Sequence, residues 1–108
     1  MQTLIHVMCR GGESLRSRIV NDAKLQDYGL YLETSKRQER SPGWAKLKSM
    51  DREPGAVNVE WEGASHTLTC RVVTKNRNNP SKIVGNLVSY LLARYSGRIV
   101  TMLISQVK

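Results

Sequence analysis

Four side chains with nucleophilic or metal-ligating chemistry stand out in the sequence: His6, Cys9, His66 and Cys70. A thiol becomes a nucleophile when a histidine within hydrogen-bond reach takes its proton. His66 and Cys70 share one face of an extended strand, but four residues at ~3.3 Å each set them about 13 Å apart. His6 and Cys9 are an odd number of positions apart and point to opposite faces. A Cys-His dyad therefore requires the first strand to lie beside the one around residue 70, joining Cys70 to His6 or Cys9 to the His66 side. The spacings match no structural zinc pattern. Both cysteines sit in apolar, strand-like runs, so they are expected as buried free thiols.

Other catalytic patterns are absent. Gly11-Gly12 falls between a strand and a helix, the position of a phosphate loop, but that motif continues into Gly-Lys-Ser/Thr and here Glu13 opens the helix. A carboxylate there suits the helix dipole and competes with an anion, which favours a structural turn. No Gly-x-Ser-x-Gly, His-Glu-x-x-His or dinucleotide fingerprint occurs, and Asp22, Asp27, Glu33, Glu60 and Glu62 show no pairing suited to acid-base work. No cofactor or metal is implied. A non-enzymatic protein is expected, with a Cys/His enzyme as the weakest alternative.

Charge offers a stronger lead. The net charge is +8, and it is unevenly placed: residues 1–62 hold ten Lys/Arg against nine Asp/Glu, whereas residues 63–108 hold seven Lys/Arg and no acid. Such asymmetry points to an anionic partner, nucleic acid or an acidic protein. Two segments concentrate it. Lys36, Arg37 and Arg40 lead into Trp44, whose ring could stack an unpaired base, with Lys46 and Lys48 alternating beyond. Lys75, Arg77 and Asn79 run into a helix start carrying Lys82, where backbone N–H groups and the dipole favour a phosphate. The two segments form one nucleic-acid surface only if they lie at the same end of the sheet. Arg94 and Arg98 bracket a helix C-terminus, where cations are stabilising without any ligand.

These residues need a scaffold. At 108 residues, 40% apolar, the chain is expected to form a single α+β domain over residues 1–108, with a core of Leu, Ile and Val since Phe is lacking. No apolar run reaches the ~18–20 residues of a membrane span, and the start of the chain does not resemble a signal peptide, so a cytoplasmic protein is expected. Strands are read at Thr3–Cys9, Leu30–Thr34, Trp44–Met50, a hairpin from Val57 to Lys75, and Ile99–Val107. Helices are read at Glu13–Gln26, with Leu15, Ile19 and Ala23 inward, and from the Asn79 cap and Pro80 to the Gly97 stop. The last strand is apolar on both faces and is expected to be covered or central. In the hairpin, Glu60 and Glu62 can meet Arg71 or the threonines across the ladder.

The order β-α-β-β-β-β-α-β, less the middle strands, is βαββαβ and resembles the ferredoxin-like pattern. That implies a mixed or antiparallel sheet of five to six strands with two helices on one face. In the second helix, Ser81, Gly85, Ser89, Ala93 and Gly97 make a small-residue row at every fourth position, with Tyr90 at its edge. This suits close approach of another backbone, either the first helix or a second copy in a homodimer. A small-molecule or regulatory homodimer with a pocket lined by Trp61, Leu68, Tyr95 and Met102 is the alternative to the basic binding module.

Overall fold

Alternation organises the first strand: Thr3, Ile5 and Val7 are buried, while Gln2, Leu4, His6 and Met8 remain partly exposed. A period of two is what a sheet covered on one side requires. The structure is a computed structural model, and it describes residues 2–33, 44–50, 55–74 and 80–107. This strand is β1 (Gln2–Cys9). After it come α1 (Leu15–Val20), a 3₁₀ helix (Ala23–Tyr28), β2 (Leu30–Leu32), β3 (Trp44–Ser49), β4 (Gly55–Glu62), β5 (Thr67–Thr74), α2 (Ser81–Tyr95) and β6 (Ile99–Val107). The strands form one open sheet in the order β2-β3-β4-β5-β1-β6, with every neighbouring pair antiparallel. The α+β class and the six strands agree with the sequence reading.

One face of the sheet carries the core. Ile5, Val7, Leu47, Val57, Val59, Leu68, Cys70 and Val72 meet Leu15 and Ile19 of α1 and Ile83, Leu87, Tyr90 and Leu91 of α2 in one continuous cluster. Leu68 and Tyr95 belong to it, and Trp61 and Met102 pack against it.

Three features depart from the sequence reading, each for a local reason. The first helix is broken in two: Leu15 and Ile19 are buried but Ala23 is exposed, so the stripe ends after two contacts. Asp22 then caps the 3₁₀ helix, its carboxylate accepting from the Lys24 N–H at 3.0 Å. Gly29 closes that helix at φ 77°, a left-handed conformation. A Cβ there would also lie 2.9 Å from the Asn86 amide nitrogen.

The buried face of α2 takes in Tyr90, which the sequence reading set at the edge of the small-residue row. Ile83, Leu87, Tyr90, Leu91 and Tyr95 are buried, whereas Leu92 is 51% exposed. Tyr90 is therefore not an anchor at a surface edge: it is wholly enclosed, because Asp22 offers its hydroxyl a partner inside the monomer. Ser81, Gly85, Ser89, Ala93 and Gly97 all face outward, and nothing approaches within 4 Å of the position a Gly85 Cβ would take. The row thus does not pack on the first helix.

The third departure is β6. It lies at the sheet's edge, pairs with β1 alone, and exposes seven of its nine residues. Its apolar character on both faces reflects neither a central position nor a covering layer.

Candidate functional site

The dyad geometry is settled by the β1–β5 register. Ile5 lies opposite Cys70, and His6 opposite Thr69. Cys70 therefore turns into the core while His6 turns to the open face, where its Nδ1 lies 3.5 Å from the Thr69 hydroxyl. Cys9 donates to the Val7 carbonyl at 3.6 Å. Burial pushes the Cys70 thiol up to about 12, with Cys9 adding to the shift. Burial also raises Cys9, and Arg98 opposes this in part. Thiols so held stay protonated and are poor nucleophiles. Both are free, and no group of three or more His, Cys, Asp or Glu suited to a metal occurs among the described residues.

The register also fixes where the basic segments are rooted. β1, β2 and β4 run one way and β3, β5 and β6 the other. Residues 34–43 join the end of β2 to the start of β3, at the end of the sheet where β1 finishes. Residues 75–79 join the end of β5 to α2, at the opposite end. Lys36, Arg37, Arg40, Lys75, Arg77 and Asn79 themselves lie outside the described residues. Lys82 is exposed in the first turn of α2, and the backbone of Trp44 pairs with Glu60. Lys46 and Lys48 share the Glu33 carboxylate, at 3.5 and 3.3 Å, which partly neutralises that stripe. Arg71 lies opposite Asn58 and bonds Gln2 at 3.0 Å, not Glu60 or Glu62; those acids face Thr69 and Thr67.

A second concentration of cations lies where β1 ends and β6 begins. The Arg10 N–H donates to the Arg98 carbonyl at 2.8 Å, and the two side chains then cross. Arg10 Nη1 donates to the carbonyls of Gly97 and Ile99, at 3.2 and 3.1 Å. Arg98 donates to the carbonyl of Arg10 through Nε and Nη2 and to that of Glu13 through Nη2, the last at 2.9 Å. Gly12, at φ 130°, carries the turn past this clasp, and a Cβ there would sit 3.4 Å from the Arg98 guanidinium. Arg18 pairs with Glu13 at 2.6 Å. Between the turns opens a cleft of about 410 Å³ lined by Gly11–Glu13, Arg18, Arg94, Tyr95 and Arg98.

The cleft's floor adjoins a polar knot. Asp22, its side chain 6% exposed, accepts from Arg94 Nε at 3.0 Å and Nη2 at 3.2 Å, from Tyr90 at 2.8 Å and from Tyr95 at 2.9 Å. Burial alone would raise its pKa, but hydrogen bonds from Arg94, the Lys24 N–H, Tyr90 and Tyr95 outweigh burial and hold it well below the usual carboxylate range. Tyr90 is pushed far up by burial and by its bonds to Tyr95 and Asp22, so its hydroxyl stays protonated and available to donate. Tyr28 meets the Tyr90 ring edge-on at 5.5 Å, fixing its orientation.

Sequence reading missed the clasp because Arg10, Arg18, Arg94 and Arg98 form no motif along the chain. The available signal was a pair of corners, Arg10-Gly11-Gly12 after one strand and Gly97-Arg98 before another, and only the β1–β6 pairing brings them together. No protein-family model, curated protein or solved structure matches this chain.

Proposed function

We propose that this chain is a small, basic, non-enzymatic binding module that engages the phosphates of a nucleic acid through the Arg10–Arg98 clasp and the cleft beside it. The observation that carries the reading is the state of those two guanidinium groups. Among the described residues their side-chain partners are backbone carbonyls, which satisfy N–H groups without neutralising charge. Counting the charged residues that line the cleft, Arg18, Arg94 and Arg98 against Glu13, leaves it at +2 (three minus one). A guanidinium has five donors in a planar fork, so the clasp leaves donors for phosphate oxygens.

The segment carrying Lys36, Arg37 and Arg40 is rooted at the cleft's end of the sheet and would extend this surface, with Trp44 stacking a base. Lys75, Arg77, Asn79 and Lys82 would make a separate contact at the far end. We read the architecture as a ferredoxin-like variant, supported by the β4-β5-β1-β6 order with one helical connection after β1 and α2 before β6; β2 and β3 extend one edge. The setting would be cytoplasmic. No helix among the described residues is long and apolar enough to cross a membrane.

Anisotropy titrations of labelled single-stranded and duplex oligonucleotides test the proposal. Binding at low salt should weaken by ~0.7–0.9 log units per phosphate contact for each tenfold rise in salt. Failure of both oligonucleotides to bind at low salt overturns it.

A further inference from the structure

The two edges of the sheet are built differently. β2 is three residues long, too short to template another strand. β6 offers nine residues, Ile99-Val-Thr-Met-Leu-Ile-Ser-Gln-Val107, without a proline or a charge, two usual protections of an open edge; its one irregularity is the register shift against β1 at Val100. Val100 is 59% exposed, Leu103 50%, Ile104 52% and Val107 40%, although Ile99 and Thr101–Val107 pair with β1 on the other side. We propose that β6 is a self-association edge: two copies of this chain pair their β6 strands antiparallel about a two-fold axis at Leu103, merging two six-stranded sheets into one.

A second copy is the occupant that the chemistry of this edge fits. With a net charge of +8, two copies repel over most of their surfaces, and β6 is an uncharged stretch on which they can meet. Its chemistry is also self-complementary. A two-fold axis at Leu103 sets Met102 against Ile104, Thr101 against Ser105, Val100 against Gln106 and Ile99 against Val107, so three of the four pairs match apolar with apolar or hydroxyl with hydroxyl. A strand addition by a basic or acidic partner would gain nothing from this edge.

The neighbouring helix adds area. Asn86, Tyr90 and Arg94 of α2 face the 3₁₀ helix segment, through Gly29, Tyr28 and Asp22. That segment lies against β2, so the opposite flank of α2, Val84, Val88 and Leu92, looks toward the β6 edge. Met102 and Ile104 share the helix side of the sheet, opposite Val7 and Ile5. Pairing buries a seam of ~30 Å on both sheet faces, plus Leu92, on the order of 600 Å² per copy. Doubled, that passes the roughly 1,000 Å² total expected of a specific interface.

Sedimentation velocity of the full chain at about 100 µM should show a dimer, since even a micromolar complex is almost fully formed there. Leu103→Lys and Ile104→Lys, both on half-exposed side chains, should give monomers with an unchanged circular dichroism spectrum. Leu103→Cys in a Cys9→Ser background should form an intermolecular disulfide on mild oxidation, because opposed Cα atoms in antiparallel strands lie ~4.5–5.5 Å apart. Val107→Cys should not, its two copies lying ~26 Å apart. A monomeric wild type overturns the proposal. So does a dimer that tolerates both lysines, one that Gly85→Leu alone disrupts, or equal cross-linking at positions 103 and 107. Should the lysine variants unfold, the cysteine pair decides between the same outcomes.

Discussion

Arg94 and Arg98 stand one helical turn apart in sequence and end in opposite electrostatic states. Arg94 meets a carboxylate that also takes two tyrosine hydroxyls and a backbone N–H, and its charge is cancelled at the core's margin. Arg98 crosses Arg10 over a glycine turn and finds only carbonyl oxygens among the described residues. The first arrangement is built to hold the helices together, the second to hold two turns together while keeping charge available. The same residue type thus has its charge neutralised or left uncompensated according to whether a carboxylate lies within reach.

Breaking the Asp22 knot should have the largest effect. Asp22→Ala leaves two enclosed tyrosine hydroxyls and Arg94 without their common acceptor, at a cost of about 2–3 kcal/mol in urea unfolding. Arg94 is 42% exposed and recovers part of its interaction from water, which keeps the figure below that of a fully buried pair. A change under half a kcal/mol would show that the tyrosines repartner without cost.

Acid should dissolve the same knot by titration. The folded pKa of Asp22 is depressed, so its stabilisation is complete above the ordinary carboxylate range and is lost as pH falls through the folded value. Between roughly pH 5 and pH 2 the wild type should lose about 2 kcal/mol more than Asp22→Asn, which has no carboxylate to protonate. Parallel pH profiles for the two proteins would remove Asp22 as the source.

The contrast also explains how much could be read in advance. Strands were legible from local pattern: Thr3–Cys9 and the hairpin from Val57 were read as strands and form as strands, because sheet period is a local property. Edge and centre were not legible for β6, since an apolar strand reads alike in a core and at an unguarded edge. The candidate site was even less visible. Arg10 and Arg98 are 88 residues apart, and only the β1–β6 pairing makes them neighbours. The strands that flank the two basic runs place their roots at opposite ends of the sheet, and the sequence alone carries no signal of that.

Arg98→Gln and Arg10→Gln should each lower oligonucleotide affinity by roughly five- to tenfold near 0.15 M salt and reduce the salt slope by ~0.7–0.9. Glutamine retains donors for the carbonyls, so unfolding midpoints should move little. If both variants bind as the wild type does, the clasp is structural and the basic segments elsewhere carry any binding.

Arg94→Gln gives the smallest binding effect and the sharpest contrast. It lines the same cleft as Arg98 and removes the same formal charge, so a purely long-range field would make the two substitutions equivalent. Asp22 already neutralises Arg94, and losing the pair's cation also loses its claim on a phosphate. Oligonucleotide affinity should therefore fall less than twofold and the salt slope should hold, while the urea midpoint drops because Asp22 loses its strongest donor. An Arg94→Gln variant that binds as weakly as Arg98→Gln would mean that net charge at this end of the sheet, and not the carbonyl-held guanidinium groups, governs recognition.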